Sequence, residues 1–449
     1  MRTLIVGHGG RESALAWRMA KNSQLYAFMG HENPSIIEYV EATGGIWSVG
    51  DVLNPEEVSS FAARERIDLA LVSSDEPLEA GVVDALLKKG IRTVGPTRMG
   101  AEIEWNKIFA REILEEIAPE ANPFYRIAHT KAEVDSAFAE VGDMPLAIKP
   151  IGLTRGKGVK VMGPHLRDST EARSYAYEIL DGKIGQGNAV IIEERIVGVE
   201  FTIQAISDGV NIVFPPATYD YPYRFEGDAG PGTGGMGSYC MSSNNLPFMQ
   251  LSHYDIAADI VKKVIKKLHD MGRHFNGVLN SGFFINSQGD IKVIEFNARF
   301  GDPECMNIMS ILDTDFVQIL TSIANVSLDR TAVKFKKVSS LVAYLVSPEY
   351  GLSNSRNSHR FTLDVETIRR LGCEVFFSSS RRVDMNKNLF ESVGSSRCVA
   401  VGATSETLDD AYRRVCSAIE AGLSGPLEWR TDIGTAGNIE KLRQLLRKA

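Results

Sequence analysis

The segment from residue 292 to residue 306 carries the densest set of side chains that could do chemistry. Glu295, Asn297 and Arg299 lie in or just after a strand-like alternation, and alternate residues of a strand point to one face. Carboxylate and amide oxygens are ligands that Mg²⁺ accepts together with substrate phosphates. A guanidinium can hold a carboxylate or a phosphoryl oxygen in its fork. The segment predicts a site for a hard cation and an anionic ligand; the alternative is a half-buried strand with a polar face.

Two glycine loops suggest contacts between the backbone and phosphates. Gly7-His-Gly-Gly-Arg-Glu12 follows a predicted strand and opens a predicted helix, where backbone N–H groups bind anions. Its last position is Glu12, so the dinucleotide pattern G-x-G-x-x-G fails and a nicotinamide-dependent oxidoreductase is disfavoured. Gly152-Leu-Thr-Arg-Gly-Lys-Gly158 is one residue too short for a P-loop and lies between two predicted strands. It suits a lid that folds over phosphates.

The string Arg-Phe-Gly-Asp-Pro-Glu-x-Met at 299–306 resembles the signature of the phosphoribosylamine–glycine ligase family, within the ATP-grasp superfamily. Other matches follow in the family's order and cover the chain to about residue 325: Gly7–Glu12, Gly95-Pro-Thr97, Lys107, Ile148-Lys149, Gly156-Lys-Gly158, Glu193-Glu194 and Gly230-Pro-x-Thr-Gly-Gly-Met-Gly237. The resemblance implies ATP-dependent joining of glycine to 5-phosphoribosylamine through glycyl phosphate. The products would be glycinamide ribonucleotide, ADP and phosphate, in purine biosynthesis.

The resemblance also implies a role for individual residues. Glu295 and Asn297 are expected to hold Mg²⁺ or Mn²⁺, and Arg299, Lys149 and Asp220 are the expected catalytic residues. The expected ATP-binding residues are Lys107, Lys149, Gly156, Lys157, Gly158, Glu193, Glu194 and Glu200. The expected substrate-binding residues are Gly9, Gly10, Arg11, Asp75, Asp220, Gly234, Gly235, Met236 and Arg299.

The sequence departs from the family pattern beside the expected acceptor pocket. Asp220-Tyr-Pro-Tyr223 stands where the family often has Asp-His-Lys-Arg, and Arg224 would restore one charge. An ATP-grasp ligase for another amine or carboxylate therefore stays an alternative. A second alternative is a non-catalytic nucleotide-binding protein. The presence of Lys149, Glu295, Asn297 and Arg299 disfavours it.

Composition narrows the class of protein. A net charge of −8 without long basic runs argues against a nucleic-acid surface, and no apolar run reaches membrane-spanning length. The five cysteines form no C-x-x-C pair, which argues against a zinc site and a disulfide framework. The chain begins with a predicted strand rather than a signal peptide. We expect a cytoplasmic monomer whose partners are small-molecule substrates.

With 449 residues, the chain is long enough for several domains. Strands and helices alternate through the first hundred residues, which predicts a doubly wound parallel sheet. The predicted fold is a multidomain combination of α/β and α+β units. We expect an N-terminal Rossmann-like substrate domain at 1–102 and an ATP-grasp domain at 103–329, with a lid subdomain at about 123–193. Residues 330–449 are expected to form a C-terminal α+β domain.

Overall fold

The N-terminal part is built on a parallel sheet with the strand order β3-β2-β1-β4-β5. The computed structural model describes residues 1–152, 158–185, 188–353, 357–384 and 387–448. The N-terminal elements are β1 (Arg2–Val6), α1 (Gly10–Met19), β2 (Gln24–Met29), α2 (Pro34–Ala42), β3 (Trp47–Val49), α3 (Pro55–Arg64), β4 (Leu69–Val72), α4 (Asp75–Glu79), α5 (Val82–Lys88) and β5 (Arg92–Val94). The predicted doubly wound parallel sheet is confirmed.

Local sequence explains where several of these elements start and stop. Asn33 and Asn54 precede prolines and accept backbone N–H bonds as the N-caps of α2 and α3. Helices α4 and α5 are separated by Gly81, which adopts a left-handed φ of 84°. Sequence analysis did not predict α2 and β3.

Two helices connect the N-terminal sheet to a small antiparallel lid. They are α6 (Arg98–Trp105) and α7 (Lys107–Ile117), and Asn106 separates them and caps α7 with its side chain. The lid contains β6 (Tyr125–Ala128), α8 (Lys131–Val141), β7 (Leu146–Pro150), β8 (Lys160–Val161), α9 (Ser169–Leu180) and β9 (Val190–Glu194), with strand order β6-β9-β7-β8. Its apolar core is separate from the core shared by the rest of the molecule.

A large sheet forms the centre of the molecule, and it does not stop at residue 329. The elements of this central part are β10 (Gly198–Ser207), β11 (Ile212–Val213), β12 (Thr218–Asp220), β13 (Tyr223–Phe225), β14 (Ala229–Gly232), β15 (Gly237–Cys240), α10 (Leu251–Asp270), β16 (Gly277–Asn286), β17 (Ile291–Asn297), α11 (Glu304–Ile311) and α12 (Phe316–Ala324), of which β13 and β14 form a separate two-stranded sheet. The strand order is β17-β16-β10-β12-β15, and it continues into the C-terminal strands.

The C-terminal part both extends that sheet and adds a smaller one. Its elements are β18 (Ser339–Val346), β19 (Arg360–Leu363), α13 (Val365–Arg370), β20 (Cys373–Phe377), β21 (Ser380–Asp384), β22 (Leu389–Ser392), β23 (Arg397–Ser405), α14 (Leu408–Gly422), β24 (Leu423–Ser424) and α15 (Ala436–Lys448). Strand β18 pairs with β15, then β23 and β20 follow. Within the described ranges, no helix is both long and apolar enough to cross a bilayer.

Candidate active site

A bulge in β17 decides which way the expected metal ligands point. Gly282 pairs with Glu295, whereas Phe283 pairs with Val293, so Ile294 is an extra residue on its strand. Without it, Glu295 and Asn297 would share a face with buried Val293, because side chains alternate strictly along an unbroken strand. The bulge moves them to the opposite face. Glu295 is exposed there.

Polar side chains continue across that face on the neighbouring strands. The register places Asn280 opposite Asn297 and Gln204 opposite Asn280. Glu200 is on the same face of β10 as Gln204, and Asp220 ends β12 beside it. This row of side chains from four strands is the floor of the candidate site.

The acids of this floor lie close enough to perturb one another. Burial raises the pKa of Glu200 to about 8, and the charges of Glu295 and Glu304 add to the effect. Burial also raises the pKa of Asp220 well above its usual range, with Glu304 and Glu200 contributing. Asp220 Oδ1 is buried without a hydrogen-bond partner among the described residues. A cation placed here would favour the charged carboxylates of Glu200 and Asp220, and an amine donor could hydrogen-bond to Asp220 Oδ1.

Lys149 and Glu193 meet on the lid sheet as a buried ion pair. Lys149 Nζ lies 2.5 Å from Glu193 Oε1, and the two residues are only 8% and 2% exposed. Arg111 of α7 completes the group, with its Nε 2.9 Å from Glu193 Oε2. Burial lowers the pKa of the Lys149 amine, and Glu193 opposes that shift. The carboxylate of Glu193 thus contacts the cationic groups of Lys149 and Arg111. The next residue, Glu194, is half-buried and contacts neither of them.

Lys107 points toward the base of the lid hairpin. Its Nζ donates to the Gly152 carbonyl at 2.9 Å, and burial lowers the pKa of its amine while Glu295 opposes the shift. The Gly158 carbonyl, on the other side of the hairpin, accepts a bond from the Tyr175 hydroxyl at 2.8 Å. Strands β7 and β8 are antiparallel, as expected for a loop between two strands. The expected phosphate contacts Gly156 and Lys157 lie outside the described residues.

The N-terminal loops of the expected phosphoribosyl site lie at the carboxyl ends of β1 and β4. Arg11 is buried, donating to Glu12 at 2.7 Å and to the Phe300 carbonyl at 3.1 Å. Asp75 begins α4; burial would raise the pKa of its carboxyl, but the charges of Arg299 and Arg11 lower it overall. The crevice between strands that lead to opposite sides of a parallel sheet is a common ligand site. Arg11 follows β1 and Asp75 follows β4, the two neighbouring strands of this sheet between which such a crevice lies.

The two glycines of this loop are already in contact with protein groups. The Gly9 N–H donates to Glu12 Oε2 at 2.8 Å, which caps α1. A Cβ on Gly10 would lie 2.2 Å from Tyr344 Oη and 2.6 Å from Met306 Cε. Gly10 therefore allows close packing between the N-terminal and C-terminal parts.

Arg299 connects the expected metal ligands with Glu104, a buried carboxylate from the linker. One terminal nitrogen donates to Asn297 Oδ1 at 3.1 Å. Its Nε lies 3.2 Å from Glu104 Oε1, although the N–H is not aimed at that oxygen and has no hydrogen-bond partner in the described ranges. Glu104 also accepts the Ala298 N–H at 2.8 Å. Burial raises the pKa of Glu104 to about 7, which Arg299 opposes and Asp75 assists.

The glycine-rich acceptor loop passes directly over Asp220. Gly235 has a φ of 96°, and a Cβ there would lie 2.6 Å from Asp220 Oδ1 and 2.8 Å from Pro303 Cδ. Met236 is fully buried, and the neighbouring Gly234 contacts the C-terminal part. Arg224 donates to the Tyr350 carbonyl at 3.0 Å and pairs with Glu428. Its charge is therefore directed at the C-terminal part.

Sequence analysis missed several residues that hold this site together. Arg111 is four residues after Lys107 on one helix, and that spacing was an available signal. Glu104, Gln204 and Tyr344 are polar residues in apolar surroundings, and their partners are distant in sequence. Local periodicity carries no information about such partners.

The donor set fits a hard divalent cation. Asn297 Nδ2 donates to Glu295 Oε1 at 3.3 Å and Asn297 Oδ1 accepts from Arg299 at 3.1 Å, so the amide would have to turn over to offer its oxygen to a cation beside Glu295. Gly282 lies opposite Glu295, and a Cβ added to it would make ordinary van der Waals contact, 3.7 Å from Glu295 Cγ and 3.8 Å from Glu200 Oε1. The described residues contain no group of three or more acids, histidines or cysteines arranged as a metal site. A cation here would need further oxygen ligands, which phosphates can supply.

Two family models match most of the chain. The model for the N domain of phosphoribosylglycinamide synthetase matches residues 1–104, and that for its ATP-grasp (A) domain matches residues 105–305. A phosphoribosylamine–glycine ligase of Methanobrevibacter smithii is 36% identical over 441 residues, covering 98% of each chain. That of Pyrococcus furiosus is 37% identical, covering 100% of this chain and 97% of its own.

Solved structures show the same fold. A crystal structure of phosphoribosylamine–glycine ligase from Thermotoga maritima aligns with a TM-score of 0.77 at 22% identity, covering 96% of this chain and 100% of that one. The biotin carboxylase domain of a Hydrogenobacter thermophilus 2-oxoglutarate carboxylase aligns with a TM-score of 0.70 at 17% identity, covering 100% and 94%. The predicted fold class is confirmed. The chain belongs to the phosphoribosylglycinamide synthetase family.

Proposed function

We propose that this protein joins glycine to 5-phosphoribosylamine at the expense of ATP. The observation that carries the proposal is the sheet floor, where Glu295, Asn297 and Asp220 share one face, with Lys149 of the buried Lys149–Glu193 pair near enough for the charge of Glu295 to oppose the burial that lowers the pKa of its amine. The full-length similarity to phosphoribosylamine–glycine ligases supports the choice of substrates. The reaction would give glycinamide ribonucleotide, ADP and phosphate in purine biosynthesis.

The chemistry would proceed in two displacements. A carboxylate oxygen of glycine attacks the γ-phosphorus of ATP, the bond to the β-phosphate oxygen breaks, and ADP leaves. The amine nitrogen of phosphoribosylamine then attacks the acyl carbon, the bond to phosphate breaks, and the nitrogen loses a proton. Such transfers depend mainly on positioning and charge neutralisation. Lys149, Lys107 and Arg299 would neutralise the phosphoryl charge, and Asp220 would hold an amino group.

Residues of several segments would bind the substrates. Arg11, Gly9 and Gly10 would face the phosphoribosyl group, with Asp75 at its hydroxyls. Gly234, Gly235 and Met236 would line the acceptor pocket, and Glu193, Glu194, Glu200, Gly156, Lys157 and Gly158 would surround ATP. Glu295 and Asn297 would hold Mg²⁺ or Mn²⁺, which would supply positive charge to neutralise the phosphates. We further propose a cytoplasmic monomer.

The test is phosphate release from ATP with glycine, freshly made phosphoribosylamine and Mg²⁺, with each omitted in turn. Release that requires every component, with glycinamide ribonucleotide detected by mass, is the expected result. Release only with other amines or acids would favour a different ATP-grasp ligase, which the altered segment at 220–223 keeps as an alternative. ATP binding without turnover on any amine would favour a non-catalytic protein.

A variant of Glu295 tests the proposal that this residue holds the metal ion. Glu295→Gln should lower turnover on the order of 100-fold or more, because a cation that neutralises phosphate charge is worth several kcal/mol. Asp290→Asn lies on the same hairpin, near its turn, and should leave turnover unchanged. Both variants are measured at limiting and at saturating Mg²⁺. Full activity of Glu295→Gln at limiting Mg²⁺ would remove Glu295 from the metal site.

A further inference from the structure

Three residues of the C-terminal part converge on the two loops that form the acceptor pocket. Arg397 donates through one terminal nitrogen to the Asp302 carbonyl at 2.7 Å and to the Gly234 carbonyl. Its other terminal nitrogen donates to Asp302 Oδ2 at 3.0 Å. One guanidinium thus joins the acceptor loop to the 299–306 segment.

Two tyrosines complete the contact. Tyr344 donates to Asp302 Oδ1 at 2.6 Å, so both carboxylate oxygens of Asp302 are occupied. The Arg397 guanidinium carbon lies 4.7 Å from the centre of the Tyr344 ring, a cation–π distance. Tyr350 accepts the Gly234 N–H at 2.9 Å. We call Arg397, Tyr344 and Tyr350 the C-terminal clamp.

The clamp sits beside Asp220 and beside the N-terminal loop. Gly235, next to the clamped Gly234, lies against Asp220 Oδ1 and Pro303. The Tyr344 hydroxyl also lies against Gly10, in the loop that faces the phosphoribosyl crevice. A small movement of the clamp would therefore move Gly235 relative to Asp220. It would leave the lid pair Lys149–Glu193 in place, because Glu193 is held by Lys149 and by Arg111 of α7, and none of these three residues, all within the described ranges, contacts the clamp.

We propose that Arg397 is a positioning residue that holds the acceptor loop and the 299–306 segment in the arrangement that binds glycine and the amine. It acts through Gly234 and Asp302 and need not touch substrate. Lysine cannot replace it, because a single ammonium lacks the planar fork that reaches two acceptors at once. The C-terminal part thereby contributes to substrate binding. This inference rests on the proposed ligase reaction.

The experiment compares Arg397→Gln, Arg397→Lys and Tyr344→Phe with the unchanged full-length protein. Arg397→Gln should raise KM for glycine and for phosphoribosylamine on the order of 10- to 100-fold, since displacements of about 1 Å can cost that much. KM for ATP should stay within about twofold. Arg397→Lys should resemble Arg397→Gln, and Tyr344→Phe should show a smaller rise in the same two constants. Arg381→Gln, an exposed residue of the same part paired with Glu391, is the matched control.

Hydrogen exchange supplies a readout that does not depend on activity. The amides of Gly234–Met236 should exchange faster in Arg397→Gln than in the unchanged protein or Arg381→Gln. Unchanged KM values and unchanged exchange in a folded Arg397→Gln would overturn the inference, and so would an equal rise in all three KM values. If Arg397→Gln does not fold, unchanged constants in Tyr344→Phe would overturn it. If the unchanged protein shows no glycine-dependent turnover, the proposed function fails, and the exchange result still decides whether the clamp positions the loop.

Discussion

At the scale of single residues, the site depends on buried carboxylates that are each paired with one or two specific groups. Glu193 faces Lys149 and Arg111, and Glu104 faces Arg299 and the Ala298 N–H. Removing one member of a buried pair leaves an uncompensated charge, which costs more than the pair itself contributes. These side chains should therefore dominate the response to substitution.

Glu193→Gln should strongly destabilise the protein. Lys149 and Arg111 would remain buried without a negative partner, which typically costs about 3–5 kcal/mol of unfolding free energy. The matched control is Glu194→Gln at the adjacent, half-buried position, which should change that free energy by less than about 0.5 kcal/mol. Urea unfolding measures both. If the two variants lower the unfolding free energy equally, the ion pairs of Glu193 with Lys149 and Arg111 add nothing specific to stability.

Glu104 should make stability depend on pH. Burial raises the pKa of its carboxyl in the folded protein to about 7, above the 4.5 of an ordinary glutamate. The folded state therefore binds this proton more tightly, so the stabilisation is complete below about pH 4.5 and is lost as pH rises through about 7. The loss is at most about 3 kcal/mol, given 1.36 kcal/mol per pKa unit.

Glu104→Gln tests that dependence, because glutamine keeps an oxygen for the Ala298 N–H but does not titrate. Urea unfolding between pH 5 and pH 8 should show a steeper fall in unfolding free energy for the unchanged protein than for the variant. Parallel curves would mean that Glu104 titrates in its ordinary range.

At the scale of elements, irregularities of strands and helices aim the functional groups. The bulge at Ile294 turns Glu295 and Asn297 toward the site, and its carbonyl accepts a bond from Arg111 at 2.8 Å. The start of α1 is similarly specialised, since Gly10 fits against Tyr344 and Met306. In both places one residue sets the geometry of a whole element.

Gly10→Ala should disturb the junction between α1 and the C-terminal part. The new methyl group would lie 2.2 Å from Tyr344 Oη, and such overpacking typically costs about 1–3 kcal/mol. Gly437→Ala is the control, because Gly437 lies in α15 with nothing within 4 Å of an added Cβ. It should be neutral or stabilising by less than about 1 kcal/mol. Denaturation midpoints that shift equally for both variants would contradict the close contact at Gly10.

At the scale of the whole molecule, two separate apolar cores set the possible motions. The lid has its own core around Ile148, Ile179 and Ile192, whereas the N-terminal, central and C-terminal parts share a second core. The continuous pairing of β15 with β18 ties the C-terminal part to the central sheet. Domain boundaries at 102 and 329, with a lid at about 123–193, remain our proposal.

The lid should open more easily than the central sheet. Amide hydrogen exchange should be faster in α8 and α9 than in β10 and β16, because opening the lid leaves the larger core intact. A non-hydrolysable ATP analogue with Mg²⁺ should slow exchange in the lid, since it would join the lid to the floor of the site. Equal protection of lid and sheet without nucleotide would contradict independent motion.

The sequence by itself determined the order of the motifs, the parallel N-terminal sheet and the strand that carries Glu295 and Asn297. These features depend on local periodicity and on the residue types required by a given chemistry, both of which can be read over short distances.

Only the tertiary structure decided which side chains and backbone groups contact the residues of those motifs. The bulge at Ile294, the linker carboxylate Glu104 and the Arg397 contact with Gly234 each join segments far apart in the chain. A strand's alternation does not reveal an inserted residue, and a buried acid or arginine looks like a surface residue until its partner is known. Their positions follow from long-range packing, in which every buried charge must find its counterpart.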